Sequence, residues 1–142
     1  MMSQNNSMTP IQSVLKIDPV VFDELSFQRK GFENKSADVQ TNLGVTRQVT
    51  KISDGQYRVT VQAIATRQDE YVAKVQISGF CSIDENLENK DAILNNNAVA
   101  ILFAYVRSQL TLLTSQPGTS PIVLPVMNIA KMIEESEKQS QD

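Results

Sequence analysis

Few residues in this chain have side chains suited to acid–base or nucleophilic chemistry. The sequence of 142 residues contains no histidine and one cysteine, Cys81. Because histidine is the commonest general base and the commonest zinc ligand, its absence argues against hydrolases and zinc enzymes. Cys81 falls on the apolar side of a predicted strand, so we expect a buried structural thiol. The sequence therefore predicts a protein without enzymatic activity, metal or cofactor.

Two pairs of adjacent carboxylates are the other candidates for acid–base chemistry, Asp23-Glu24 and Asp84-Glu85. Adjacent acids usually lie on solvated surface. They nevertheless leave one enzymatic alternative open, a hot-dog-like domain with a helix packed against a curved antiparallel sheet. Such a domain would bind a small molecule in a tunnel at the subunit interface, lined by a carboxylate such as Asp84 or Glu85.

Composition and charge limit the partners and the location. A net charge of −3, from 13 basic and 16 acidic residues, disfavours nucleic acid, whose phosphates bind clustered Lys and Arg. No stretch has the ~20 apolar residues of a membrane span, and the first residues resemble no signal peptide, so we expect a cytoplasmic protein. We predict a disordered lead-in over residues 1–10, a single domain over 11–138 and a disordered tail over 139–142.

Alternating apolar and polar residues predict an antiparallel meander of three strands. Apolar residues occupy odd positions over 39–49, 57–65 and 73–83. The turns between these strands fall at 53–56 and 67–70, and Asp54-Gly55 suits the positive φ of a tight hairpin. One face of this sheet is therefore dry and the other wet.

An earlier segment, residues 11–30, is also extended but less regular. Asp18-Pro19 divides it into two pieces, because proline disfavours the helical conformation at the residue before it. In the second piece Phe22, Leu25 and Phe27 do not follow a period of two. A bulge or bend near Asp23-Glu24 would reconcile these three positions with a strand.

Residues 98–106 are apolar without a break and predict a helix. Asn95-Asn96-Asn97 can cap its start, and Pro117 requires it to end near Ser115. A helix that is apolar on nearly every side needs partners on more than one side. We expect one side to pack on the sheet and the other to contact a second copy of the chain. The predicted oligomer interface comprises Ile101, Leu102, Tyr105, Gln109 and Leu112.

A proline-containing crossover over residues 119–125 leads to a second, amphipathic helix from about 126 to 138. Ile122, Val123 and Leu124 make this connection unusually apolar for a loop. Such a segment either packs against the core or offers an apolar wall to a ligand. The flexible thioethers of Met127 and Met132 beside it can adapt to varied apolar partners.

Three stretches together resemble the SecB family of export chaperones. The most specific is AILFAYVRSQLTLLTSQPGTSPIVLPVMNIAKMI, which is similar to that family's long helix, Gly-containing turn, crossover and last helix. VQISGFCSI precedes it and resembles the last strand, and FDELSFQR resembles the first. The resemblance covers about residues 20–135.

The resemblance implies an α+β fold with a four-stranded antiparallel sheet backed by the long helix, and dimers that pair into a homotetramer. It also implies an ATP-independent chaperone that holds nonnative polypeptide clients in apolar grooves, with protein export as one use. The predicted groove residues are Phe22, Leu25, Phe27, Leu124, Val126, Met127 and Met132.

In the export members, acidic residues of the first and last strands contact the SecA motor. The matching positions here are Glu24, Gln28 and Lys74, so Glu24 alone remains as a predicted SecA contact. Some SecB-like proteins instead serve as chaperones of an antitoxin in a toxin–antitoxin system. The sequence leaves both roles open, together with a purely structural role as an assembly subunit.

Overall fold

The computed structural model describes residues 14–32 and 41–141 of the chain. Four antiparallel strands form one sheet: β1 (Lys16–Arg29), β2 (Thr41–Ser53), β3 (Gln56–Arg67) and β4 (Tyr71–Ser82). Their spatial order is β1-β4-β3-β2. The predicted meander is thus confirmed as β2 to β4, while β1 pairs with β4 at the far edge. The predicted lead-in over residues 1–10 lies outside the described residues.

The first turn of the meander has the positive φ that the sequence predicted, and the second turn contains a positive φ as well. Gly55 has a φ of 75° in the first turn, and Asp69 has a φ of 64° in the second. Residues Val59 and Gly79 pair across β3 and β4 within an unbroken register. One face of the sheet consequently carries the buried residues, which include Val59, Val61, Ala63, Ala73, Val75 and Ile77.

β1 is one long strand rather than the two pieces predicted from Asp18-Pro19. Its pairing with β4 is irregular between Ile17 and Val20 and again between Phe22 and Glu24. The second irregularity is the predicted bulge. It places Phe22 opposite Ile77, and Leu25 and Phe27 opposite Val75 and Ala73, so all three lie on the apolar face.

The long helix begins earlier than the sequence predicted. It comprises α1 (Lys90–Ala92), a π-helical segment (Ile93–Ala98) and α2 (Val99–Thr114), joined through residues with helical backbone angles. The predicted cap at Asn95-Asn96-Asn97 is wrong, because these residues lie inside the helical stretch. Asn95 Nδ2 instead donates to Asp91 O at 2.8 Å, one turn earlier.

Helix α2 lies on the apolar face of the sheet and approaches β4 closely. A Cβ atom at Gly79 would lie 2.8 Å from a methyl group of Ile17 and 3.0 Å from one of Leu102, so glycine permits this approach. Leu102 is 0% exposed within a single chain. Among the described residues, no helix has the length and apolarity needed to cross a membrane.

The last helix, α3 (Ile129–Gln141), begins at Ile129 rather than near Val126. Asn128 explains this start, because its Oδ1 accepts from the backbone N–H of Lys131 and caps the first turn. Ile129 and Ile133 are buried in the core. On β2, Arg47 donates to Asn95 O at 2.9 Å and pairs with Glu137 at 3.6 Å, which connects the strand to both helical regions.

Candidate functional site: the crossover cleft

The segment that joins α2 to α3 crosses one end of the sheet and forms a wall of a concave site. We call this site the crossover cleft. It has a volume of about 270 Å³ and lies between the crossover and the strands β2 and β3. Its lining combines apolar groups with a few polar ones: Thr41, Leu43, Ala65, Arg67 and residues 120–124.

The wall of the crossover cleft is held by polar side chains of α2. Thr114 Oγ1 accepts from the backbone N–H of Ile122 at 2.8 Å, and Thr111 Oγ1 donates to Ile122 O at 2.7 Å. Arg107 donates through Nε and Nη2 to Leu124 O at 3.3 and 3.1 Å. These three positions fall on one side of the helix because they are four and three residues apart.

The beginning of the crossover is attached to the end of β1. Arg29 donates to Pro117 O at 3.3 Å and to Thr119 Oγ1, and also to Gly31 O. Its guanidinium lies 5.7 Å from the ring centroid of Phe27. The wall of the cleft is therefore fixed at both ends.

Sequence reasoning missed these anchoring residues. It predicted no anchoring role for Arg107, Thr111 or Thr114. A usable signal was present, because Arg107, Thr111 and Thr114 recur with helical period in a helix that is otherwise largely apolar. Such a stripe indicates a polar partner along that side of the helix.

The predicted groove residues near the crossover occupy different positions. Leu124 lines the crossover cleft, and Met127 and Met132 are partly buried against the core. Val126 lies outside the helix and is 85% exposed. Of these four residues, the structure thus places Leu124 alone in the lining of the crossover cleft, and Val126 is exposed to solvent.

The other three predicted groove residues lie on β1, at the opposite edge of the sheet from β2. Three strand spacings separate these edges, roughly 14 Å. Phe22 contacts Tyr105 of α2 edge to face, with ring centroids 6.4 Å apart. Phe27 instead packs on Tyr71, at 5.2 Å between centroids. Phe22 therefore associates with a residue of the predicted oligomer interface and is not part of the crossover cleft.

Besides Val21, five large apolar side chains of β1 and α2 are exposed, and we call these five the outer patch: Phe22, Leu25, Ile101, Tyr105 and Leu112. On α2, Tyr105 follows Ile101 by one turn and precedes Leu112 by two turns, so the three share a face. Gln109 is partly buried. Leu102 belongs to the chain's own core, so its predicted place in an oligomer interface is corrected.

The wet face of the sheet carries charges that are paired internally. Lys74 Nζ lies 3.3 Å from Glu24 Oε1, which neutralises the one acidic position predicted to contact SecA. Asp23 accepts from Ser78 Oγ at 2.6 Å and from Arg58 Nη2 at 3.0 Å. Because each carboxylate has a cationic neighbour, this face presents no unbalanced acidic cluster at these positions.

Glu85 is held at the other end of the sheet, beside the first hairpin turn. It accepts from Lys90 Nζ at 2.5 Å, from Tyr57 Oη at 2.7 Å and from the backbone N–H of Gly55 at 2.7 Å. The hydrogen bond from Lys90, followed by those from Tyr57 and Gly55, holds the pKa of Glu85 far below its usual value. A carboxylate bound in this way is a poor general base.

Cys81 is buried on the apolar face, as predicted. Burial raises the pKa of its thiol to about 11, so the thiol stays protonated and unreactive near neutral pH. Within residues 14–32 and 41–141, no group of three acidic, cysteine or histidine side chains is arranged to hold a metal ion.

Comparison with known protein sequences places this fold in a family. Residues 9–140 match the family described as preprotein translocase subunit SecB. A protein-export protein SecB of Anaplasma phagocytophilum is 27% identical over 89 residues, which cover 60% of this chain and 56% of that protein. An uncharacterized protein of Methanocaldococcus jannaschii is 21% identical over 94% of this chain and 91% of its own length.

Two solved structures are similar to this one. The first is the Mycobacterium tuberculosis Rv1957 SecB-like chaperone in complex with a ChAD peptide from the HigA1 antitoxin. It has a TM-score of 0.65 and 13% identity, over 82% of this chain and 90% of that one. The second is a protein of unknown function from Streptococcus agalactiae, with a TM-score of 0.51 and 16% identity over 79% and 97%. The sheet backed by a long helix is therefore a SecB-like fold, and the chain belongs to the SecB family.

Proposed function

We propose that this protein is an ATP-independent chaperone that binds nonnative polypeptides and prevents their aggregation. The crossover cleft is the observation that carries the proposal, because it is concave, largely apolar and bounded by an exposed loop. The similar mycobacterial SecB-like chaperone was solved with a bound peptide. A polypeptide is therefore the ligand class that we propose for the cleft, and we expect this binding to take place in the cytoplasm.

Broad client selection follows from the chemistry of the site. Burial of apolar surface is nondirectional and contributes roughly 25 cal/mol per Å², whichever side chain is buried. Met127 follows the crossover directly, Met132 lies in the first turn of α3, and both are only partly buried, so they can adjust to clients of different shape. Leu124 and Met127 are the residues for which we propose the largest contribution to client binding.

We propose that the outer patch joins copies of the chain. Tyr105 is 47% exposed and Leu112 is 62% exposed within one chain, although both lie on an apolar helix. Covering such side chains with an identical helix face removes them from water. A dimer of dimers is the arrangement that the family resemblance implies.

Two client systems remain to be distinguished, secretory proteins delivered to SecA and an antitoxin. The Lys74–Glu24 pair favours the second, because it removes the acidic character of the position predicted to meet SecA. The peptide in the mycobacterial relative also comes from an antitoxin. An enzymatic hot-dog-like role is disfavoured by Glu85, whose carboxylate is bound by three donors.

The test is the aggregation of a chemically denatured model protein, followed by light scattering after dilution with and without this chain. We expect the wild-type chain to suppress the scattering. Replacing Leu124 and Met127 together with serine should weaken suppression at least severalfold, because the client then loses apolar contact in the cleft and with the residue that follows the crossover. Sedimentation should show that this double variant forms the same oligomer as the wild type.

Ile52→Ser is the matched control, since Ile52 is an exposed apolar residue of β2 that does not line the cleft. Equal suppression by the double variant and this control would exclude Leu124 and Met127 from client binding. No suppression by the wild type would reject the chaperone proposal itself. Adding SecA to a preformed client complex separates the two systems, because only an export chaperone should transfer its client.

A further inference from the structure

We infer that Thr111, Thr114 and Arg107 are positioning residues for polypeptide binding. This inference rests on the proposed chaperone function. These three side chains do not themselves contact the client. Their role is to hold the crossover as a preformed wall, so that a client need not order it on binding.

The crossover has little backbone pairing of its own. Pro121 and Pro125 lack N–H donors, and no strand pairs with the segment among the described residues. A loop without such bonds would sample many conformations, and ordering it would oppose client binding. The α2 side chains replace the missing backbone partners.

The two threonines act on Ile122 as a neighbouring strand would. One hydroxyl accepts the Ile122 N–H and the other donates to the Ile122 C=O, so both backbone groups of this residue are satisfied. Thr114 can do this because its own proton is donated to Leu110 O at 2.7 Å. Thr114 is fully buried, where an unsatisfied polar group is costly.

This pairing fixes the direction in which the crossover side chains point. With Ile122 fixed, its side chain is buried, and the next residue, Val123, points outward and is 77% exposed. Arg107 then fixes Leu124 through its carbonyl oxygen. Inward and outward side chains therefore alternate from Ile122 to Leu124, as is typical of extended backbone. Here hydrogen bonds from side chains of α2 maintain this alternation.

Thr114→Val and Thr114→Ser form a matched pair that tests this inference. Valine keeps the shape but removes the hydroxyl, whereas serine keeps the hydroxyl. We expect Thr114→Val to raise the dissociation constant for a fluorescent, unfolded apolar peptide about tenfold, the effect of losing one buried hydrogen bond. Thr114→Ser should stay within about twofold of the wild type.

Two further measurements separate positioning from general stability. Hydrogen exchange at the Ile122 amide should accelerate in Thr114→Val but not in Thr114→Ser, at a temperature well below unfolding. Thr111→Val offers a second variant if Thr114→Val fails to fold, because it leaves the Ile122 N–H bond in place. It should weaken peptide binding in the same direction.

An unchanged dissociation constant in the valine variants, with faster exchange at Ile122, would overturn the inference and leave the chaperone proposal standing. Failure of the wild-type protein to bind the peptide would instead reject the proposed function. Tighter binding by a valine variant would also overturn the inference, since it would mean that a loose crossover is the better binding surface.

Discussion

The outer patch and the crossover cleft are both apolar, yet the chain supports them in different ways. The outer patch lies on β1 and α2, whose backbones are held by strand pairing, with a bulge between Phe22 and Glu24, and by helical hydrogen bonds. The wall of the crossover cleft has no regular secondary structure and is held by side chains such as Thr111 and Thr114. One surface is therefore built on rigid elements, and the other on a loop whose anchoring can be altered by a single substitution.

This difference suggests how one short chain can provide two kinds of contact. A patch on regular elements has one shape and suits a partner of one shape, such as a second copy of the chain. A cleft beside a loop and two methionines can adjust to many clients. Phe22 and Leu25 illustrate the distinction, because their composition suggested the groove whereas their position on β1 assigns them to the outer patch.

The largest effect that we predict comes from comparing two leucines of α2. Leu102 is fully buried within one chain, and Leu112 is 62% exposed. Leu102→Ala should lower the free energy of unfolding by about 3 kcal/mol through the cavity that it creates. Leu112→Ala should cost less than about 0.5 kcal/mol in an isolated subunit. Urea unfolding at several protein concentrations measures both.

Protein concentration provides the control for this comparison. If Leu112 lies in an interface, Leu112→Ala should reduce the concentration dependence of the unfolding midpoint, since association stabilises the folded state. Leu102→Ala should shift the midpoint at every concentration. Equal behaviour of the two variants would contradict the separation of core from outer patch.

The sheet could be predicted well from the sequence because its signals are local. Period-two alternation and the Asp54-Gly55 turn are sufficient to place β2 and β3, and the broken alternation around Asp23 revealed the bulge. The pairing of β1 with β4 could not be derived from alternation, which carries no information on which strands are neighbours. The family resemblance implied a fourth strand but not its neighbour, so the structure alone gives this pairing.

The site was predicted less well, for a physical reason. Composition identified apolar residues in excess but could not say which ones a single chain buries, so Leu102 was assigned to an interface. The Asn95-Asn96-Asn97 cap failed because tertiary packing extends the helix back to Lys90. Thr111 and Thr114 bind the backbone of Ile122, 11 and 8 residues further along the chain, and the sequence does not show which loop residue a helix side chain will contact.

The next prediction places the same charge in the two regions. Tyr105→Glu puts a carboxylate in the outer patch, and Val123→Glu puts one beside the crossover cleft. Burying an unpaired charge in an interface is costly, so Tyr105→Glu should weaken self-association by about a hundredfold. Val123→Glu should leave self-association unchanged and weaken apolar peptide binding. Sedimentation velocity and fluorescence anisotropy measure the two properties.

The reverse pattern would break the comparison. If Val123→Glu dissociated the oligomer, the crossover would belong to the subunit interface. If Tyr105→Glu reduced client binding while the oligomer stayed intact, the outer patch would be a client surface, as Phe22 and Leu25 were first predicted to be.

The smallest effect is predicted for Glu85, which lies at the end of the sheet away from the crossover cleft. Hydrogen bonds from Lys90, Tyr57 and Gly55 lower the pKa of Glu85 below its ordinary value of 4.5. A group with a depressed folded-state pKa stabilises the protein above its unfolded pKa. This stabilisation is lost as the pH falls below about 4.5, because the unfolded chain takes up the proton first.

Glu85→Gln should therefore lower the thermal midpoint slightly at pH 7 and reduce the loss of stability between about pH 4.5 and pH 3. Client binding at pH 7 should not change, since Glu85 contacts the first hairpin turn rather than the crossover. Thermal unfolding across this pH range, with peptide anisotropy at pH 7, checks both statements. An equal pH dependence in variant and wild type would show that the Glu85 contacts form in the unfolded chain as well. Weaker peptide binding would mean that the two ends of the sheet are coupled, and that the crossover cleft depends on more than its α2 anchors.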